Sequence, residues 1–391
     1  MSIKVKNKKI LMPSFIKQKI KPHSYLVTVP KYRLDVENKE DLVEEIIKIY
    51  GYNNIPSSLP SWLPKELVID KKQNWRELIQ QILNISGYQE IVTYSLVSEE
   101  EKDEFCLKSK SAFYYLLVPK SKFHVFYRQS VLPSHLKVIA YNLNHQNEDL
   151  FFFEISKTHS RTSQGLKEEE ILTLSATGKM FTSIPVHHLE QKYDFFWLKG
   201  TIENIFHSLN IVNKIDFVLS RSKEFHPYQS ADILLAENKV SNTANQGEKI
   251  GFVGQIHPSL TKKYQIDFPV FTAQISLSKL FDSLTEENLS HYQPVSIFPK
   301  IEQDVSFVLN QFIEVGKIVE TIRKAGGNFL TEVKVYDVYQ SKEFIDKEKK
   351  SITFRLIFQS SEKTLLSKEV NEIIKKIVNQ IKNSFGAELR S

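Results

Sequence analysis

The stretch PKYRLDVENKEDLVEEIIKIYGYNNIP, residues 30–56, organises the reading of the whole chain. Asn38 is a helix-capping residue type, and Leu42, Ile46, Ile47 and Ile49 recur behind it at helical spacing. A helix is therefore predicted from Asn38 to about Tyr50, with Gly51 stopping it. Before it, YLVTVP (25–30) alternates like a strand ending at Pro30. After it, Pro56, Pro60 and Pro64 give residues 53–66 the spacing of a linker. Asp41, Glu44 and Glu45 stand at i, i+3 and i+4 near the helix start, and Asp35 precedes them by a short turn. Two readings of these carboxylates stand side by side. Without a matching basic cluster they repel one another, and a hard cation such as Mg²⁺ would relieve that. Alternatively, acidic residues in a first turn simply complement the helix dipole.

Outward from this segment, the bulk properties narrow the class. The 391 residues suffice for two or three domains, and 41% hydrophobic content allows real cores. No apolar run approaches the ~18 residues of a membrane span, and no signal peptide is legible at the N-terminus. Cys106 is the only cysteine, which excludes a disulfide framework and a cysteine-based zinc site. A cytoplasmic protein is expected. Residues 1–34 carry eight lysines and Arg33 with no acidic residue, a local +9 against +6 for the whole chain. Such an arm suits a polyanion such as RNA, or is simply a solvated tail.

Three blocks follow: 1–70, 71–285 and 292–391. In the second, helices are predicted over 74–86, 133–145 and 195–209. Strands are predicted over 89–96, 150–156, 171–177, 215–220, 230–235, 249–255 and 269–276. Strands outnumber helices and mostly succeed each other without crossovers, which gives an α+β fold with an antiparallel sheet. The third block reads strand 303–309, helix 314–325, strand 329–337, strand 351–359, helix 367–383, strand 387–390. That is the ferredoxin-like βαββαβ order, a fold that hosts many functions.

No catalytic constellation emerges. There is no Walker A loop, GxGxxG, HExxH or GxSxG, and His187 and His188 are merely adjacent. No catalytic residue is assigned.

The 30–56 segment closely resembles the B5-domain signature of phenylalanyl-tRNA synthetase β subunits, through Pro30, Tyr32, Arg33, Asp35, Asp41, Leu42, Glu44, Glu45 and the run Ile49-Tyr50-Gly51-Tyr52. The resemblance implies that Asp35, Asp41, Glu44 and Glu45 ligate Mg²⁺ at the contact with the α subunit. RQSVLPSHLKVIAYNLNHQNEDLFFFE (128–154), DFFWLKGTIE (194–203), HPYQSAD (226–232) and IGFVGQIHP (250–258) resemble, in order, the same subunit's catalytic-like module, a class II synthetase-like core. Where the active sister domain carries a phosphate-clamping arginine, this chain reads Phe151-Phe152-Phe153-Glu154. Its late strand, PVFTAQISLSKL (269–280), has neither glycine nor arginine. ATP is therefore expected only on the partner subunit.

Residues 292–391 resemble the family's anticodon-binding domain, through Pro299, Asp304, Tyr336-Asp337-Val338-Tyr339, Ser351, Arg355 and Gly386-Ala387-Glu388-Leu389-Arg390. The resemblance implies that the first anticodon base lies on this sheet: carried over by position, Tyr339 stacks on it while Asp337, Ser351 and Ser306 line its slot. Tyr339 as a packing residue and Asp337 as a turn cap are the plainer readings. Gln303 and Gln340-Ser341 depart from the family pattern. The implied assembly is an (αβ)₂ ligase binding tRNA(Phe), with a free-standing RNA-binding paralogue as the alternative. The resemblance covers nearly all residues after about 25 and none of the family's N-terminal half. A fragment or a shortened subunit without editing activity is thus expected.

Overall fold

The computed structural model describes residues 2–5, 8–11, 16–21, 24–58, 70–105, 113–162, 165–181, 191–236, 247–284, 294–339 and 348–390. Most of the Pro56–Pro64 linker, Cys106, His187, His188 and Gln340-Ser341 lie outside them. The chain divides into two compact units, Met1–Gln80 and Gln81–Ser391.

In the first unit, β1 (Ser2–Val5) pairs antiparallel with β2 (Lys8–Leu11), and β3 (Ile16–Lys21) with β4 (Ser24–Val27). The basic stretch read as an arm thus contains hairpins, and the predicted strand at 25–30 ends early, at Val27. Helix α1 (Lys39–Tyr50) starts behind Asn38 as expected. Asp41 Oδ2 accepts the backbone N–H groups of Glu37 and Asn38, each at 2.8 Å, and so closes the first turn. At the other end Gly51 takes φ +91°, a conformation that L side chains rarely adopt, and its N–H reaches Ile47 O at 2.7 Å.

The second unit opens with the end of α2 (Lys71–Ile85) and the turn at Gly87. The predicted strand at 89–96 is two short pieces, β5 (Gln89–Glu90) and β6 (Leu96–Val97), the latter paired with β7 (Phe126–Tyr127). The interruption has a cause: Thr93, between them, turns its hydroxyl to Glu154 Oε2 at 2.7 Å. Then come α3 (Leu132–Asn144), β8 (Leu150–Thr162), β9 (Gly165–Thr177), β10 (Lys179–Phe181), β11 (Gln191–Lys192), α4 (Phe195–Ser208) and β12 (Ile215–Leu219). β13 (Phe225–Leu235), β14 (Glu248–Ile256), α5 (Pro258–Lys263), β15 (Phe271–Ser276) and α6 (Leu277–Asp282) complete this part. The main sheet has seven strands in the order β12-β13-β14-β15-β9-β8-β5. Each pair is antiparallel except β5 with β8. Leu132, Leu136 and Ile139 of α3 join Leu150, Phe152, Phe225 and Phe252 in one buried cluster. His226-Pro227 lies inside β13 at a register shift, where proline costs no ladder bond.

The last part is β16 (Ile301–Asn310), α7 (Val315–Gly326), β17 (Leu330–Tyr339), β18 (Lys349–Phe358), α8 (Ser367–Phe385) and β19 (Glu388–Leu389). Its antiparallel sheet runs β17-β18-β16-β19, the ferredoxin-like order. Ile318 and Ile322 of α7 and Val370, Ile377 and Ile381 of α8 pack on Val305, Phe307, Leu309, Ile352, Phe354 and Leu356. Those strand residues alternate, so both helices cover one face. The other face carries no helix among the described residues.

Candidate nucleic-acid interface

The helix-free face is built in rows by strand register. Tyr339 pairs with Ser351, and Ser351 with Val308. One row along, Asp337 pairs with Thr353, and Thr353 with Ser306. The next row pairs Lys334 with Arg355, and Arg355 with Asp304. Since directly opposed residues share a face, Ser306, Asp337, Tyr339 and Ser351, separated by up to 45 positions in sequence, are brought onto one face. Ser306 Oγ lies 2.8 Å from Thr353 Oγ1. Tyr339 is 46% exposed, whereas Ser351 is only 2% exposed.

Two further residues complete this surface. Arg390 donates its backbone N–H to Ser306 O at 2.9 Å and a guanidinium N–H to Ser351 Oγ at 3.2 Å. Its guanidinium carbon lies 5.0 Å from the Tyr339 ring centroid. Neither was assigned to the slot from the sequence: Thr353 lies two positions after Ser351 in its strand, and Arg390 entered only within the run 386–390, next to a strand of two residues that shows no period. Together these residues offer a stacking ring, hydroxyls of either polarity, a carboxylate acceptor and a guanidinium donor on one surface.

The four carboxylates of the first unit are arranged differently from the expectation. Arg33 donates to Asp35 at 2.8 and 2.7 Å and to Glu45 at 2.6 Å. Lys48 reaches Glu44 at 2.9 Å and Glu45 at 3.0 Å. The hydrogen bonds from Arg33 hold Asp35 down at about 2 and also lower Glu45, with Lys48 helping at the latter. Backbone N–H bonds lower Asp41. The premise of an uncompensated acidic cluster is therefore corrected: Arg33 and Lys48 supply the positive charge. No three Asp, Glu, His or Cys side chains among the described residues converge as a cation site. As arranged, Asp35, Asp41, Glu44 and Glu45 do not fit an Mg²⁺ ion, which needs near-octahedral oxygen ligation.

Glu154, on β8 of the seven-stranded sheet, and Arg128, just after β7, are each about 1% exposed and meet at 2.7 Å. Arg128 also donates to Thr93 Oγ1 at 2.6 Å, and His135 Nε2 stands 3.4 Å from Glu154. Burial pushes the Glu154 carboxyl up, but His135, the Arg128 charge and Thr93 outweigh it and hold it at about 2. Burial keeps His135 below its ordinary value. His135 Nδ1 meets Ser175 Oγ at 3.0 Å, and Ser175 meets Thr272 at 3.3 Å. Arg128 Nε and His135 Nε2 are buried in this network without a hydrogen-bond partner, and every residue of β15 is buried.

Comparison with known proteins decides the family. The family described as phenylalanyl tRNA synthetase beta chain CLM domain matches residues 55–277, more than half of the chain. The chain belongs to the phenylalanyl-tRNA synthetase β-chain family. A ferredoxin-fold anticodon binding domain matches residues 296–390, and a tRNA synthetase B5 domain matches residues 6–52. The B5 likeness thus reaches back into the stretch that sequence reading left unmatched before residue 25. Among curated members, the phenylalanine–tRNA ligase beta subunits of Bacillus cereus and Bacillus subtilis are each 31% identical, over 94% and 93% of this chain. The Staphylococcus aureus beta subunit is 32% identical over 89% of it. The chain spans about 44% of the length of the Bacillus members it matches. Among solved structures, a pyrrolysyl-tRNA synthetase from Desulfitobacterium hafniense aligns at TM-score 0.39 and 15% identity, over 54% of this chain and 68% of that one.

Proposed function

We propose that this chain is the β subunit, or its C-terminal part, of a phenylalanine–tRNA ligase. It scaffolds a catalytic α subunit in an (αβ)₂ assembly and binds tRNA(Phe) in the cytoplasm. Residues 292–391 read the anticodon, 71–285 form a non-catalytic class II synthetase-like core, and 1–70 form a B5-like domain with its linker. The observation that carries this reading is the row structure of the helix-free ferredoxin-like face, where Tyr339, Ser351, Asp337 and Ser306 meet. An unpaired base is read by stacking on an aromatic ring while polar groups address its edge, and this face offers both.

The core supports a scaffold role by what its polar residues do. Arg128, buried just after β7, is committed to Glu154 and Thr93. Adenylate formation works through cations positioned on phosphate oxygens, so ATP chemistry belongs to the partner. In the first unit, Arg33 and Lys48 already pair with Asp35, Glu44 and Glu45, and backbone N–H groups occupy Asp41. The proposed role therefore assigns no Mg²⁺ to these carboxylates.

Co-expression with a phenylalanyl-tRNA synthetase α subunit tests the proposal. The two chains should co-purify, and phenylalanine-dependent ATP–pyrophosphate exchange should appear only in the mixture. Exchange by this chain alone would contradict the scaffold reading. Tight binding of RNA with no association to the α subunit would favour the free-standing paralogue.

A further inference from the structure

The helix-free face holds a second aromatic platform that the anticodon reading above does not use. Tyr336 is 60% exposed, and the Arg355 guanidinium carbon lies 3.8 Å from its ring centroid. Arg355 does not reach that place by chance rotation. Asp304, opposite it on β16, accepts its Nε and one terminal nitrogen at 2.8 Å each, a bidentate pair that fixes the guanidinium plane. The Asp304 bond also raises Arg355 and lowers Asp304 from their ordinary values. β17 shifts register between Val335 and Asp337, so Tyr336 is the extra residue of a bulge. Bulges re-aim a side chain that regular pairing would direct elsewhere. Here the bulge brings the ring to Arg355, whose row lies beyond the Asp337–Thr353–Ser306 row.

Tyr336 stands three positions before Tyr339, roughly 10 Å at ~3.3 Å per residue of strand. Flat, partly exposed π-surfaces at such intervals on one basic-and-aromatic face are what single-stranded nucleic acid uses for successive bases. Guanidinium planes serve the same purpose as aromatic rings. We propose that the Tyr336–Arg355–Asp304 unit is a second stacking station, for a nucleobase of the same anticodon other than the one on Tyr339. This rests on the anticodon reading of Tyr339 but assigns a separate contact. Asp304 acts through Arg355 as a positioning residue, and neither it nor Tyr336 was placed in the slot of Ser306, Asp337, Tyr339 and Ser351.

Binding of the full chain to the anticodon hairpin of tRNA(Phe), intact or with one anticodon nucleotide made abasic in turn, tests this. Tyr336→Ala should weaken binding of the intact hairpin about tenfold. It should weaken the hairpin abasic at the first position as much. It should lose its effect on the hairpin abasic at the second or at the third position. Tyr336→Phe should bind as the parent does. Equal weakening of all hairpins by Tyr336→Ala, or none, would overturn the second station. So would a loss of binding in Tyr336→Phe with an unchanged melting temperature. The first slot is scored separately: Tyr339→Ala should lose its effect only on the hairpin abasic at the first position. If Tyr339→Ala has no effect on any hairpin, the anticodon reading fails, and the second station falls with it.

Discussion

Arg128 and Glu154 form an ion pair from which water is excluded, each being about 1% exposed. Removing one partner of such a pair leaves the other charge buried and unpaired, a loss of about 3–5 kcal/mol. Arg128→Met should therefore lower the urea midpoint sharply, and adding Glu154→Gln should restore much of it. Equal losses in the single and double variants would contradict the pairing. The sign of the pH effect follows from Glu154. Its carboxyl stands at about 2 against an ordinary 4.5, so it stabilises the fold above about 4.5 and loses that contribution as pH falls toward 2. The urea midpoint should drop across that window in the parent and drop less in Glu154→Gln. Arg355–Asp304 makes an instructive contrast: it has comparable distances but is partly exposed, so its value lies in orienting a plane rather than in stability. None of this partner choice was legible in the sequence. The string 30–56 shows its acidic residues plainly, and it shows Arg33 and Lys48 too. Which cation meets which carboxylate depends on the turn between Pro30 and Asn38, where Arg33 N–H bonds Pro30 O at 3.0 Å.

At the scale of elements, capping and periodicity carried far. Asn38 and Gly51 bracket α1, Pro133 opens α3, and all six elements of the last block appear in the predicted order. What failed did so for local physical reasons. The 89–96 strand breaks because Thr93 leaves the ladder for a buried carboxylate, and β13 begins five residues early through a register shift that period-two reading cannot see. β8 and β9 run on as a long hairpin, Leu150 to Thr177, beyond the apolar cores that announced them. In α1, Asp41 is engaged by backbone N–H groups and Arg33 bridges Asp35 and Glu45, so added Mg²⁺ has no ready ligand set. The melting temperature of the isolated chain should not respond to millimolar Mg²⁺. A rise that disappears in the Glu44→Gln, Glu45→Gln double variant would restore the metal site.

At the scale of the whole molecule, a seven-stranded, mostly antiparallel sheet and a ferredoxin-like sheet are joined in a chain whose family is that of phenylalanyl-tRNA synthetase β chains. The resemblance of the residues named the family and pointed to four positions on one sheet face. The strand register then supplied the neighbours, Thr353 and Arg390, that no short motif could rank. Under the proposed function labour is divided: the partner subunit would perform the chemistry and this chain would hold the tRNA. The central claim is that the helix-free face of residues 292–391 reads the anticodon through Tyr339, with stacking worth about 1–3 kcal/mol per base. The most direct measurement is tRNA(Phe) charging by the complex of this chain with the α subunit, parent against Tyr339→Ala. The expected result is a KM for tRNA(Phe) raised roughly ten- to a hundredfold, with ATP–pyrophosphate exchange unchanged and Tyr339→Phe close to the parent. An unchanged KM in a folded Tyr339→Ala variant would contradict it.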